Sequence, residues 1–169
     1  MENPYVMLET NEGEILIELF PEKAPKSVEN FLRYVDEGHY DETIFHRVVR
    51  KFVIQGGGYN RDLDRLPIHD PIPNEAQNGL SNVKGSVAMA RGAEKGSATD
   101  QFFINAADNG ADLDHQDESD EGFGYAVFGQ VVEGMDVVKK INWKVVSERS
   151  GFPTLPEDTM VIVSAYRFE

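Results

Sequence analysis

Short segments in which apolar and polar residues alternate recur along the whole chain, and they limit its possible folds more than any other feature. Val6 and Leu8, then Ile15 and Ile17, lie on either side of a turn at residues 11–13, which predicts a β-hairpin. Six further candidate strands follow at residues 44–49, 52–55, 86–90, 102–105, 125–132 and 160–168. Eight short strands with few helices indicate an antiparallel sandwich or barrel rather than a parallel α/β sheet.

Two stretches change to the helical period. The first is preceded by Pro25 and followed by Gly38, residues typical of a first helical turn and of a helix end. Its apolar stripe consists of Val28, Phe31, Leu32 and Val35, and a shorter stripe consists of Met135, Val138 and Ile141. Residues 59–84 and 106–124 form two long loops, and loops of that length are usually functional or mobile.

Composition excludes several classes of protein. The chain has 169 residues and no cysteine, so we expect one domain over residues 1–169 and neither disulfides nor thiolate metal sites. With 16 Lys and Arg against 30 Asp and Glu, nucleic acid is an unsuitable partner. The sequence contains no apolar run that would span a membrane and no secretory signal, which favours the cytoplasm.

Candidate metal sites are weak. The four histidines lack the spacing of a zinc site, and we expect no metal and no cofactor. Residues 112–121 hold six acidic residues without the pattern of a calcium loop, which favours a solvated loop over adventitious cation binding. His46 is interpreted as a hydrogen-bonded core histidine.

Two strands present polar and aromatic side chains on one face. Side chains two residues apart share a face of a strand, so a return of the chain at residues 50–51 would bring Arg47 close to Gln55. By the same rule Gln101, Phe103 and Asn105 lie together. Each segment alone is typical of a plain barrel wall as much as of a binding site.

Several motifs together resemble the cyclophilin family of peptidyl-prolyl isomerases, closest to its short bacterial cytoplasmic type. They are FHRVVRKFVIQGGG, GSVAMARGAEKGSATDQFFINAAD and YAVFGQVVEGMDVVKKI, in that order. The resemblance implies a mainly β fold, a closed eight-stranded antiparallel barrel capped by two helices. It also implies a monomeric enzyme that rotates X-Pro bonds in proline-containing peptides and in unfolded or folding proteins.

The resemblance further assigns site residues by position. Arg47 and Gln55 match the catalytic positions. The substrate-binding positions are matched by Phe52, Val53, Ala90, Arg91, Gly92, Gln101, Phe103, Leu113 and Tyr125. Members of the family often carry an aromatic residue immediately before the leucine that Leu113 matches. This chain has Asp112 there, so we expect weak binding of the macrocyclic inhibitor cyclosporin.

Two other classes of function remain open at this point. The same groove would serve a protein that holds proline-containing segments without turnover, although the presence of Arg47 favours an enzyme. A barrel that binds a small ligand in its lumen is the other alternative, and the many apolar residues at alternating positions argue for a filled lumen instead.

Overall fold

The structure is a computed structural model that describes residues 2–169. Its helices are α1 (Pro25–Asp36), α2 (Gly110–Leu113) and α3 (Met135–Asn142). Its strands are β1 (Tyr5–Thr10), β2 (Gly13–Leu19), β3 (Thr43–Ile44), β4 (Arg47–Val49), β5 (Val53–Gly56), β6 (Ser86–Met89), β7 (Phe102–Asn105), β8 (Val127–Glu133), β9 (Val146–Arg149), β10 (Phe152–Pro156) and β11 (Val161–Phe168). The fold is therefore mainly β with few helices.

Nine strands form one strongly curled antiparallel sheet in the order β3-β11-β1-β2-β8-β6-β7-β5-β4. The predicted hairpin of β1 and β2 is confirmed, with Val6 opposite Ile17 and Leu8 opposite Ile15. The first and last strands of the order, β3 and β4, follow one another in the chain with only Phe45 and His46 between them. Across the described residues, β3 pairs with β11 and β4 with β5, so the sheet is a half-barrel by its hydrogen bonds.

Residues 2–169 contain eleven strands and three helices, where the sequence predicted eight strands and two helices. The expected strand at residues 44–49 is interrupted at Phe45 and His46, which splits it into β3 and β4. A separate two-stranded sheet of β9 and β10 was missed. Strand β9 is mostly polar and exposed, and β10 contains two prolines, so neither shows a clear alternation. The third helix, α2, is a single turn inside the second long loop, too short to show a period.

Helix α1 is held at its start by the first long loop. Pro25 occupies the first turn as predicted, and the helix has no side-chain cap of its own. The Glu75 carboxylate instead accepts hydrogen bonds from the Lys26 and Ser27 amides, at 3.1 and 2.7 Å, and from the Ser27 hydroxyl at 2.8 Å. Because the first amides of a helix lack internal partners, this contact ties the loop to the start of α1.

The concave side of the sheet is filled by side chains. Phe31 of α1 packs against Tyr40, Phe102 and Phe128, with ring centroids 5.1–5.3 Å apart. All four side chains are fully buried. This packing contradicts a hollow, ligand-binding lumen. A second apolar cluster lies apart from this core and includes Val53, Ala88, Phe103, Leu113 and Val127.

Candidate active site

Strands β4 and β5 bring the two predicted catalytic residues together. Arg47 lies opposite Gln55 in the ladder, and its guanidinium donates a 3.1 Å hydrogen bond to Gln55 Oε1. The Gln55 side-chain amide in turn donates to Gln101 Oε1 at 3.0 Å. The hairpin expected from alternation alone is thus confirmed. The hydrogen bond to Gln55 orients the Arg47 guanidinium, and the Arg47 side chain stays partly exposed.

A cleft of about 330 Å³ opens on the outer side of the sheet beside Arg47. Nine of the eleven predicted site residues line it: Arg47, Phe52, Val53, Gln55, Ala90, Arg91, Phe103, Leu113 and Tyr125. The other two, Gly92 and Gln101, line an adjoining groove of about 260 Å³, which shares Gln55, Ala90 and Arg91 with the cleft. The structure therefore places all eleven around one continuous depression.

The floor of the cleft is apolar. Phe103, Val53 and Leu113 are buried in the second cluster, and Phe52 and Tyr125 pack against it from the edges. The rings of Phe103 and Tyr125 meet edge to face, with centroids 5.7 Å apart. A small saturated ring would find apolar contacts on several sides here, with Arg47 and Gln55 on the polar side.

Arg91 anchors one rim of the cleft through its side chain. Its guanidinium lies 4.8 Å from the centroid of the Tyr125 ring and donates to the carbonyls of Gly124 (3.0 Å) and Asp120 (2.6 Å). Gly124 has φ +84°, and a Cβ there would lie 2.7 Å from the Leu113 carbonyl oxygen. The close approach of the two chain segments therefore requires glycine.

Buried asparagines behind the cleft are functional candidates that the sequence patterns did not reveal. Asn109 donates to the Phe52 carbonyl at 2.9 Å and to Asn105 Oδ1 at 2.8 Å, and its own carbonyl accepts from the Leu113 amide at 3.0 Å. Asn105 also donates to Asn82 Oδ1 at 3.0 Å. Polar residues in loops carry no periodicity, so only the position of Asn105 on the Phe103 face hinted at this network.

A buried carboxylate behind Gln101 was missed as well. Asp100 is fully buried and forms a two-point ion pair with Arg65 at 2.7 and 2.8 Å, and His39 Nε2 lies 2.8 Å from Asp100 Oδ2. Burial raises the pKa of Asp100, but the hydrogen bonds from His39 and Arg65 outweigh it and leave the pKa below its usual value. The charged network fixes the chain immediately before Gln101.

His46 is buried as expected, but the expected hydrogen bond to its Nδ1 is absent among residues 2–169. The ring packs against Tyr59 and Phe152, with centroids 4.7 and 5.8 Å away. Burial, with the nearby charges of Arg65 and Arg47, lowers the pKa of His46 from 6.5 to about 4. His46 lines neither the cleft nor the groove.

The acidic loop lies at the far rim of the cleft. Asp112 is exposed on α2, next to Leu113 but outside the cleft lining. Asp114 is turned toward Ser81 and Asn82, from which its carboxylate accepts hydrogen bonds at 2.5 and 2.7 Å. Within the described part of the chain, no group of three or more His, Asp or Glu side chains is arranged to hold a metal ion. No described helix is long and apolar enough to cross a membrane.

Comparison with known proteins decides the family. The model of the cyclophilin-type peptidyl-prolyl cis-trans isomerases matches residues 5–166. The chain belongs to this family. Peptidyl-prolyl cis-trans isomerase cyp18 of Streptomyces antibioticus is 51% identical over 160 residues, covering 95% of this chain and 96% of that protein. Peptidyl-prolyl cis-trans isomerase B of Escherichia coli is 49% identical, covering 94% of this chain and 96% of that protein.

Solved structures agree on the fold. A cyclophilin-type isomerase of Cryptosporidium parvum, crystallised in the presence of the dipeptide Ala-Pro, superposes with a TM-score of 0.79 and 23% sequence identity. The superposition covers 98% of this chain and 99% of that one. With the bacterial relatives, these findings identify the protein as an enzyme, a peptidyl-prolyl cis-trans isomerase, rather than a protein that only holds proline segments.

Proposed function

We propose that the cyclophilin cleft described above isomerises X-Pro bonds without forming any covalent bond to the substrate. The observation that carries this proposal is the position of Arg47, fixed by Gln55 beside the apolar pocket of Phe52, Phe103 and Leu113. The proline ring of the substrate occupies the pocket, and its preceding carbonyl faces the polar side of the cleft. The dipeptide Ala-Pro present with the Cryptosporidium relative supports a proline-containing substrate.

Arg47 acts on the twisted amide. Resonance keeps the X-Pro amide planar, and rotation about it costs about 18–20 kcal/mol. At the twisted transition state the nitrogen regains its lone pair and becomes a hydrogen-bond acceptor. A guanidinium that donates to this nitrogen stabilises the twisted state and not the planar one, which is what catalysis requires. Such a charge-assisted bond contributes about 1.5–3 kcal/mol, or roughly 10–100-fold in rate.

The remaining acceleration comes from holding the two ends of the rotating bond. The pocket holds the proline ring, while Gln55 and Gln101 on the polar side, and the backbone at Ala90–Gly92, hold the preceding residue. Val53, Arg91 and Tyr125 complete the walls. No step needs a nucleophile, a general base, a metal or a cofactor.

The proposal extends to the whole protein. We infer one isomerase domain over residues 1–169 in which β3 and β4 act as two halves of one strand, closing an eight-stranded barrel. Support comes from the two residues that separate β3 from β4 and from the Phe45 amide, which bonds to the Met160 carbonyl at 2.9 Å. The clients are unfolded and folding proteins in the cytoplasm. The enzyme acts as a monomer, with weak affinity for cyclosporin.

Substitution of Arg47 tests the mechanism. Arg47→Ala is expected to lower kcat/KM for an X-Pro peptide at least about tenfold, while peptide affinity changes less. Arg47→Lys is expected to recover only part of the loss, because an ammonium lacks the planar fork of donors. Arg33→Ala, on the exposed side of α1, is the control. Full activity in the Lys or Ala variant would contradict the role of Arg47.

A further inference from the structure

The positive charges of this acidic chain are unevenly placed. The chain has a net charge of −14, yet residues 43–61 and residues 137–147 contain no Asp or Glu. These two stretches belong to different elements, the β4–β5 hairpin and the end of α3. They are far apart in the sequence. Arg47 belongs to the isomerase cleft and Arg61 pairs with Glu42, but the cleft gives no role to the other cations of these stretches.

The fold brings the two stretches together. The Asn142 side chain donates to the carbonyls of Val49 (2.9 Å) and Val53 (3.3 Å) and accepts from the Lys51 amide at 2.8 Å. Asn142 is buried, so these bonds lock the last turn of α3 onto the hairpin. The turn at Arg50–Lys51 is thereby held in one position over the helix end.

An exposed tryptophan lies at the centre of this junction. Trp143 is 47% exposed, and the Arg50 guanidinium lies 4.7 Å from its ring centroid while donating to the Trp143 carbonyl at 2.9 Å. Lys51 Nζ lies 5.9 Å from the same ring. Lys139 and Lys140 precede Trp143 by one helical turn and are exposed. We name Arg50, Lys51, Lys139, Lys140 and Trp143 the basic patch.

The cations of the basic patch have no acidic partners. In residues 2–169, Arg33, Arg61, Arg65, Arg167 and Lys144 each pair with a carboxylate. None of the four cations of the basic patch forms such a pair within the same residues. They gather four cations around an exposed aromatic ring, in a molecule whose net charge is −14.

The basic patch is continuous with the cleft. Phe52, which lines the pocket, directly follows Lys51, and Arg47 lies on the same hairpin. Lys51 Nζ lies 5.9 Å from the Trp143 ring, and an extended peptide covers about 3.3–3.6 Å per residue, so the residues next to the proline are within reach of the Lys51 end of the patch. A client held in the cleft therefore has its flanking residues close to four free cations.

We propose that the basic patch binds acidic side chains in the segment of a client that flanks the isomerised proline. The proposal rests on the proposed function, because it assumes that clients enter the cleft. It makes the enzyme prefer proline segments with Asp or Glu a few residues from the proline. A short acidic peptide suits a patch of four cations, whereas nucleic acid requires a longer positive track in a surface this acidic.

Matched peptides test the preference. Three peptides would share one X-Pro core and carry a Gly-Ser tail, a four-Glu tail after the proline, or a four-Glu tail before it. For at least one of the two acidic peptides, we expect kcat/KM at low salt to exceed that of the neutral peptide about fivefold. The gain is modest because exposed ion pairs are weak. The excess is expected to vanish at about 0.5 M NaCl, where the charges are screened.

Paired variants locate the effect. The double variant Arg50→Gln/Lys51→Gln is expected to remove the preference for acidic peptides. Its kcat/KM for the neutral peptide is expected to stay within about twofold of the native value. The double variant Lys23→Gln/Lys26→Gln changes the net charge equally on exposed residues elsewhere and is expected to keep the preference. Equal turnover of acidic and neutral peptides by the native protein, or the same loss in both double variants, would overturn the proposal.

The emission of Trp143 measures binding without turnover, because it is the only tryptophan of the chain. Titration with the four-Glu tail alone is expected to change this emission, and titration with a neutral tail is not. A larger change with a single-stranded oligonucleotide than with the acidic tail would overturn the proposal in favour of nucleic acid. If no peptide is turned over but the acidic tail still binds, the proposed function fails and the basic patch stands.

Discussion

Arg47 combines a permanent positive charge with a rigid fork of donors, and its surroundings use both properties. Gln55 takes one donor, which leaves the guanidinium oriented along the cleft wall. Gln101 then holds Gln55 from the far side. At this scale the alternation of side chains in two strands was sufficient to predict the contact, because register in a short hairpin follows from the turn.

Asp112 is the residue that we expect to weaken inhibition by cyclosporin. It is exposed beside Leu113, and its carboxylate would have to lose water to contact an apolar macrocycle. We expect cyclosporin to inhibit the native protein weakly and Asp112→Trp to bind it at least about tenfold more tightly, because an indole adds an apolar wall and a ring donor. An inhibition titration of both proteins measures this.

The matched control for that titration is Ala111→Trp, which adds the same indole one residue earlier on the exposed surface of α2. Tight inhibition of the native protein would show that Asp112 does not limit binding. A gain confined to the Ala111 variant would place the aromatic position there instead.

At the scale of elements, the cleft depends on loops that only long-range bonds hold in place. Asn109 connects two walls, since it bonds to the Phe52 carbonyl and its own carbonyl receives the Leu113 amide. The side chains of Arg91 and Asn74, both outside the second long loop, donate to the Gly124 carbonyl at the end of that loop. The strands supply Arg47 and Gln55, and the loops supply the shape of the pocket.

Asn109→Ala is expected to weaken substrate binding in the pocket more than it slows catalysis. The substitution leaves Asn105 Oδ1 without its donor, so it should destabilise the protein by about 1–3 kcal/mol. KM for an X-Pro peptide is expected to rise several-fold with a smaller change in kcat. Ser27→Ala, which removes a buried hydroxyl from α1 far from the cleft lining, is the control for stability alone. A proportional fall of kcat in both variants would contradict a positioning role for Asn109.

Alternation and helical stripes predicted the elements that carry strong patterns, and the structure confirms the hairpin of β1 and β2 and the stripe of α1. The break at Phe45–His46 was not predictable, because both residues continue the pattern of a single strand. The β9–β10 sheet and the network at Asn109 depend on tertiary bonds, and polar residues that satisfy such bonds resemble loop residues in the sequence.

At the scale of the whole molecule, the free energy of unfolding depends on pH through His46, a buried residue outside the cleft. His46 is buried with a pKa of about 4, whereas it titrates near 6.5 in the unfolded chain. Below pH 6.5 the unfolded chain therefore binds a proton that the folded protein does not, and the free energy of unfolding falls until about pH 4. The contribution of His46 to the free energy of unfolding amounts to about 3 kcal/mol and is retained above pH 6.5.

Urea unfolding at pH 7 and at pH 4.5 measures how much free energy of unfolding is lost between these pH values in the native protein and in His46→Gln. The native protein is expected to lose more of its free energy of unfolding over that range than the variant, because the variant has no imidazole to protonate. Carboxylates that do not interact with His46, such as Asp36, contribute equally to both proteins and cancel in the difference. Equal losses would show that His46 is not the group responsible.

The whole chain is expected to catalyse rotation about X-Pro bonds, and the cis–trans exchange rate of an X-Pro peptide measures this activity directly. Uncatalysed exchange takes about 10–100 s. Adding the purified, folded protein in catalytic amounts should shorten this time in proportion to its concentration, and Arg47→Ala should lose most of the effect. A folded native protein that leaves the exchange rate unchanged would contradict the claim.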